Sequence, residues 1–478
     1  VSRPSSACPT SAAERVEAIP PVSTDDPSIP PLIVCGALNM DLITVCGDHV
    51  IGEGQLKSKV SGNDFSTAAG GKGLNQSMAA ALLLKKLREM SIKASARLPT
   101  IRLIGAVGKD GNGAALREEL ASAGVDTELL FEDSKHPTGV ANIMNIPEEG
   151  SSHGVDTRMM VNVDGANKSL WQKHVMDAFA HLSDKHGVDG LRGGVLCLQC
   201  ELELQTNLAA LERAQAYGLT TVMRPGGTMM EDMLGESVEY LSLIDVFCAQ
   251  DDEMIKLARV IEQKKPAWDE AKLAGYKNKM MQCVQCGYGG ADGDQNTGQG
   301  IQREDWCKKL VALATAGGAI ARLGVHYTIA LLMKNSTAYG GFGGCVVVSR
   351  HRLSQVPLPA EWSDHNWRCH LYPTPDGDER MLVLETQPLH KTIDTTGSAD
   401  AFIGPLALQL TSSVRDVFGL SNQIVNRLPL ACALASLSLR HLGASTAYKE
   451  TYVNSTETPK KIVNGPFLDV DRLSLIHI

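Results

Sequence analysis

The chain has 478 residues, a net charge of −9 and a 43% hydrophobic composition, enough to bury one large or two moderate cores. The acidic balance argues against a nucleic-acid surface, which would show as clustered Lys and Arg, and an aromatic content of 5% leaves few rings for stacking on single strands. No apolar run is long enough to cross a bilayer, so neither nucleic acid nor membrane is expected as a partner.

In chain order, residues 1–31 are rich in Pro, Ser and Thr without periodicity and read as a disordered leader. LIVCGALNMDLITV then reads as a first buried strand, interrupted by the polar Asn39-x-Asp41. After AAGGKGLNQ comes SMAAALLLKKL, a helix by composition. IRLIGAVGKD is a strand and loop, GAALREELASAG a helix with a glycine stop, and TGVANIMNIP a strand. The rhythm repeats: GGVLCLQC, LTTVMRP and LIDVFCA are strands, while NLAALERAQAYG and DDEMIKLARVI are helices. Such alternation predicts an α/β fold with a mostly parallel sheet covered on both faces, and ligands beyond the carboxyl ends of its strands. The stretches 263–305 and 350–380 break the pattern and read as surface insertions, and 451–478 reads as a C-terminal tail.

Many of the twelve cysteines lie inside apolar runs, where they act as small hydrophobes. Without disulfide-like spacing or a signal peptide, they point to a reducing, cytoplasmic setting, with nuclear or organellar placement left open. Cys283-x-x-Cys286 has no second pair and reads as a cysteine-bearing surface loop rather than a zinc site.

Four motifs carry chemistry. AAGGKGLNQ brings Gly71, Lys72, Gly73 and Asn75 to a strand-to-helix junction. The glycines there permit close backbone approach to a ligand, and the lysine and asparagine offer donors; a glycine-rich turn with a solvated lysine is the equal alternative. Asn39 and Asp41 share one face and could grip vicinal hydroxyls, although alone they fit a strand-end turn better. Glu201, just past a buried strand, could bind a sugar hydroxyl, help organise Mg²⁺, or simply start a helix. In DTTGSADAF, a helix beginning near Gly397 would aim the amides of Gly397, Ser398, Ala399 and Asp400 at developing negative charge. Asp400 could then take the proton of an attacking hydroxyl; an ordinary N-terminal cap is the alternative.

Taken together, GALNMD, AAGGKGLNQSMAAA, IGAVGKDGNGAALREELASAGVDT, TGVANIMNIPEEG, VNVDGAN, LQCELELQ and DTTGSADAFIG resemble, in order and spacing, the ribokinase-type family of sugar kinases. The resemblance runs from about Leu32 to Tyr448 apart from the two insertions, within an expected kinase domain of residues 32–450. It implies a three-layer αβα sandwich with a small β-sheet lid built from about 43–67 and 138–163. It also implies sugar binding by Asn39, Asp41, Gly71, Lys72, Gly73, Asn75 and Glu201, with Asp400 as base and Gly397, Ser398 and Ala399 as anion hole. Mg²⁺ with ATP and a monovalent cation, usually K⁺, follow by the same resemblance, the cation mapping to Asp394, Thr396, Ser438 and Gly443. The function implied is ATP-dependent phosphorylation of D-ribose at the 5-hydroxyl, in a homodimer. The alternatives are another small-sugar or nucleoside kinase, or a catalytically inactive sugar-binding relative.

The nucleotide side departs from the family pattern. Gln250 stands where an Asn is expected, with Glu253 the closer match. Gly341 and Gly344 fall where the nucleotide loop should be, Cys432 replaces an adenine-side Asn, and Ala399 replaces the glycine before the base. An alanine there would cost about 1 kcal/mol if the position required positive φ, and nothing if it were helical. Pro405 is expected to remove a backbone donor early in the following helix and to bend it.

Overall fold

The structure is a computed structural model, and it describes residues 26–46, 51–52, 55–56, 61–90, 97–147, 155–226, 239–264, 299–334, 341–351, 353, 368–373, 379–385, 397–418 and 424–438, with scattered helical residues between 271 and 282. Asp394, Thr396, Gly443, Cys283 and Cys286 lie outside the described residues, as do almost all of the leader and the whole tail.

The apolar runs become strands because both of their faces are covered. Leu32, Ile33, Val34 and Cys35 form the first strand and are all fully buried. Leu32 and Val34 face one core with Leu74, Met78, Phe402 and Leu406, while Ile33 and Cys35 face a second with Phe179, Leu182, Ala210 and Leu257. A strand buried on both sides has no polar face, which is why these segments read as unbroken hydrophobic runs.

Among the described residues the central sheet holds 11 strands. From one edge they run Arg368–Pro373, Glu379–Glu385, Gly341–Ser349, Tyr327–Lys334, Val246–Gln250, Thr220–Arg224, Val195–Gln199, Leu32–Cys35, Ile101–Gly108 and Val125–Asp126, with Leu130–Asp133 also paired to Ile101–Gly108. The strands from Tyr327–Lys334 to Val125–Asp126 pair in parallel; the three at the other edge are antiparallel. The second pattern-breaking stretch therefore ends in an edge strand, Arg368–Pro373, and is not surface loop throughout. The first likewise gives way to a helix, Gln299–Arg322, whose Leu310 and Leu313 are buried.

The stretch LIVCGALNMDLITV is not one strand. Its second half, Asn39–Cys46, belongs to a separate four-stranded sheet with Gly62–Gly70, Gly139–Pro147 and Val155–Val163. This is the small β-sheet expected from the sequence, and Ile43, Ala141 and Ile143 form its own apolar cluster.

Chain order decides where a site can form. After Leu32–Cys35 the chain pairs its next central strand, Ile101–Gly108, on one side, and then Val195–Gln199 on the other. That reversal opens a crevice beyond the carboxyl ends of Leu32–Cys35 and Val195–Gln199, the usual ligand position in such sheets. Asn39 and Glu201 follow those two strands.

Candidate active site

The Lys72–Met90 helix starts directly after Gly71, and its first turn reaches into the crevice. It can lie there because two glycines face each other. A Cβ on Gly73 would stand 2.6 Å from the Gly36 carbonyl carbon, and one on Gly36 would stand 1.8 Å from Gln199 Oε1. At the helix start the Lys72 amide donates to Glu201 Oε2 at 3.1 Å, and the Lys72 ammonium pairs with Glu201 Oε1. Glu201 thus places negative charge at a helix N-terminus, where the dipole favours it. The helix is not the one following Glu201 in the chain but one brought in from 129 residues away. Next to it, burial pushes the Cys200 thiol up to about 12 against the pull of Lys72, so this cysteine is protonated and inert at neutral pH.

Asn39 opens the lid strand and pairs with Gly70 and Gly139. Its Oδ1 accepts from Asn167 Nδ2 at 2.9 Å, and Asn167 also spans the Leu38 backbone, accepting from its amide at 3.0 Å and donating to its carbonyl at 2.9 Å. Asp41 is buried beside Gly70, where any Cβ would come within 2.3 Å of its carboxylate.

Across the crevice stands the Ser398–Leu410 helix. Its cap, Gly397, has φ 75°, a left-handed conformation that suits glycine. Ala399 lies inside the helix, so alanine there carries no backbone strain. The cap is a glycine and brings no side chain of its own, and an α-helix leaves its first amides without intrahelical partners. Pro405 is accommodated within the helix, buried with its neighbours, and its carbonyl accepts from Gln409 Nε2 at 3.1 Å.

Asp400 is 2% exposed and held by three side chains from two other elements. Gln76 Nε2 donates to Oδ1 at 3.0 Å, Arg224 Nη1 to Oδ1 at 3.1 Å, and Asn75 Nδ2 reaches Oδ2 at 3.5 Å. Asn75 Oδ1 is buried without a hydrogen-bond partner among the described residues, a state that invites a donor from a ligand. The site therefore holds two cation–anion pairs, Lys72–Glu201 and Arg224–Asp400, in a cleft between helix starts.

Sequence reasoning missed Gln76, Arg224 and Asn167. Gln76 was within reach as the next residue of GGKGLNQ, and Asn167 stands in the quoted VNVDGAN. Arg224 left one signal, a charge ending the apolar run LTTVMR.

The nucleotide-side residues are more dispersed. Gln250 ends its strand and donates its amide to Glu253 Oε2 at 2.9 Å, leaving Oε1 as the donor a cation would use. The neighbouring Asp251 is paired with Lys309 at 2.6 Å. No group of three or more His, Cys, Asp or Glu among the described residues could hold a metal by itself. One carboxylate is nonetheless enough for a Mg²⁺ ion carried chiefly by nucleotide phosphates. Gly341 and Gly344 lie in a strand rather than a loop, Gly344 beside a register shift with φ 116°. Cys432 is fully buried, its sulfur 3.8 Å from Cys345 Sγ, and so faces the core. Of the expected cation site only Ser438 is among the described residues, buried and donating to the Ala435 carbonyl at 2.8 Å.

Residues 31–282 match the pfkB family carbohydrate kinases, which is more than half of the chain. The chain belongs to the pfkB family of carbohydrate kinases. Within the family it is 26% identical over 226 residues to a ribokinase of Arabidopsis thaliana, covering 46% of this chain and 51% of that enzyme. A ribokinase of Haemophilus influenzae is also 26% identical, over 46% of this chain and 60% of its own length. The chain thus spans about half the length of the curated relatives it matches. The structure of Arabidopsis thaliana ribokinase complexed with ribose and ATP superposes with a TM-score of 0.51 at 19% identity, over 88% of this chain and 95% of that one, which establishes the shared fold. The family match ends before Gly397, and the tertiary arrangement brings Asp400 to Asn75 and Gln76 within the matched stretch.

Proposed function

We propose that this pfkB protein transfers the γ-phosphoryl group of ATP to the 5-hydroxyl of D-ribose, giving ribose 5-phosphate. The observation that carries the reading is the buried Asp400 carboxylate, set in the first turn of its helix and reached by Asn75 and Gln76 of the helix that starts with the Lys72–Glu201 pair. Asn39, Asp41, Lys72, Asn75 and Glu201 hold the sugar, with Gly71 and Gly73 letting the backbone come close. Asp400 receives the hydroxyl proton, and the backbone from Gly397 to Ala399 stabilises charge on the phosphoryl oxygens. Gln250, Glu253, Gly341, Gly344 and Cys432 border the nucleotide. Mg²⁺, when bound, neutralises charge on the phosphates, with Glu253 as its protein contact. A K⁺ site at Asp394, Thr396, Ser438 and Gly443, a cytoplasmic location and a homodimer complete the proposal. Among the described residues no helix is long and apolar enough to cross a membrane. Phe65, Met160, Val161 and Val163 of the lid sheet are large exposed hydrophobics that a second copy would cover.

A second reading, a sugar binder without turnover, draws on the nucleotide side, where Cys432 faces the core and Gly341 and Gly344 lie in a strand. ADP release with D-ribose, D-fructose and inosine as acceptors, each with Mg²⁺ and K⁺, separates the readings. Turnover highest with D-ribose supports the proposal. Preference for another acceptor moves the substrate assignment within the family. Protection against heat by D-ribose with no turnover on any acceptor supports the second reading.

A further inference from the structure

We infer that Arg224 and Gln76 are positioning residues that hold Oδ1 of Asp400 and so make Oδ2 the oxygen that takes the substrate's hydroxyl proton; this rests on the kinase reading above. The two oxygens of this carboxylate stand in unlike surroundings. Oδ1 accepts from Gln76 at 3.0 Å and from Arg224 at 3.1 Å. Oδ2 is approached by Asn75 Nδ2 at 3.5 Å, at the outer limit of a hydrogen bond.

The donors to Oδ1 are themselves anchored. Gln76 is fully buried, and its Oε1 accepts from Gln199 Nε2 at 2.7 Å. Gln199 ends a central strand, and its carbonyl accepts from Asn207 Nδ2 at 3.0 Å. Arg224 ends the adjacent strand, 7% exposed. The terminal torsion of an aspartate is otherwise broad. Two donors converging on one oxygen from the strand layer and the Lys72–Met90 helix remove that freedom and turn Oδ2 toward the crevice.

The ion pair also acts in the transfer step. The hydroxyl O–H bond breaks with its proton passing to Oδ2, and the hydroxyl oxygen forms a bond to the γ-phosphorus. The bond from that phosphorus to the bridging oxygen breaks, its electron pair leaving on ADP. A guanidinium does not lose its proton in proteins. Protonation of Oδ2 therefore removes the negative charge of Asp400 that faces Arg224, while the guanidinium stays charged.

The test uses the full chain with D-ribose and Mg²⁺-ATP, comparing wild type, Asp400→Asn, Arg224→Met, Arg224→Lys and Gln76→Met. Arg224→Met is expected to lower kcat about 100-fold, the effect of a misplaced reacting group, while KM for D-ribose stays within about threefold. Arg224→Lys keeps the charge and is expected to restore about tenfold of that loss, and it also serves if the methionine variant fails to fold. Because both donors hold the same oxygen, the Arg224→Met, Gln76→Met double variant should lose less than the product of the single losses. An active wild type with kcat unchanged in Arg224→Met, or with its loss entirely in KM, overturns the inference alone. A wild type inactive on every acceptor overturns the kinase reading, and this inference with it.

Discussion

Replacing Gly73 with alanine tests how the crevice is built. The new Cβ would stand 2.6, 2.8 and 2.9 Å from the carbonyl carbon, Cα and carbonyl oxygen of Gly36, all backbone atoms that cannot rotate away. Ordinary contact begins at 3.4 Å, so the start of the Lys72–Met90 helix must retreat by about 0.8 Å (3.4 less 2.6). Overpacking of this kind costs about 1–3 kcal/mol. The same displacement carries Lys72 away from Glu201, and Asn75 and Gln76 away from Asp400; a misplacement of about 1 Å can slow turnover about 100-fold. Urea titration and steady-state phosphorylation of D-ribose measure the two effects. Gly111→Ala is the control, because a Cβ there meets nothing within 4 Å and lies in a helix that favours alanine. Stability within about 0.5 kcal/mol of wild type, with unchanged turnover in Gly73→Ala, would refute the claim that the Gly36–Gly73 approach sets the helix position.

Asp400→Asn is expected to lower kcat by about 100- to 10,000-fold while D-ribose still raises the melting temperature, as measured by ADP release and thermal unfolding. Lys72→Met strands Glu201 and should raise KM for D-ribose about tenfold with a smaller change in kcat, read from initial rates. Hydrogen bonds from Ser169 and from the Lys135 amide hold the Asp133 carboxyl well below its usual range, helped by His136. A depressed folded pKa contributes stability that is full above the unfolded value of about 3.9 and fades as pH falls from there toward the folded value. Asp133→Asn should therefore be less stable than wild type at neutral pH, and the gap should shrink below about pH 4 in denaturant titrations. Burial pushes the Cys35 thiol up to about 12, so iodoacetamide should leave Cys35 unmodified in the native protein and alkylate it after unfolding, as read by peptide mass spectrometry.

The parallel sheet was legible because a strand buried on both faces must be largely apolar, and VLCLQC, LIDVFCA and IRLIGAVG are, with the buried Arg102 paired to Asp126. The helix Gly111–Ala123 was equally plain, since Asp110 caps it through Gly113 and Gly124 ends it. The lid was legible in outline, but the break between Leu32–Cys35 and Asn39–Cys46 was not, because Asn39 and Asp41 interrupt the apolar run without showing that the second half joins another sheet. The edge strand Arg368–Pro373 was also hidden: RCHLYP has little apolar pattern and is held by backbone pairing to Glu379–Glu385.

At the site, the residue types and their order along the chain marked Lys72, Glu201 and Asp400 as candidates, since charge and proton affinity are local properties. The pairings were beyond sequence reading. Glu201 meets the start of a helix 129 residues earlier, and Arg224 meets a carboxylate 176 residues later. Such contacts depend on how the strands are ordered in the sheet and which helix starts converge above it. Local patterning sets which segments are strands and helices; packing of both sheet faces decides which of their ends share one crevice.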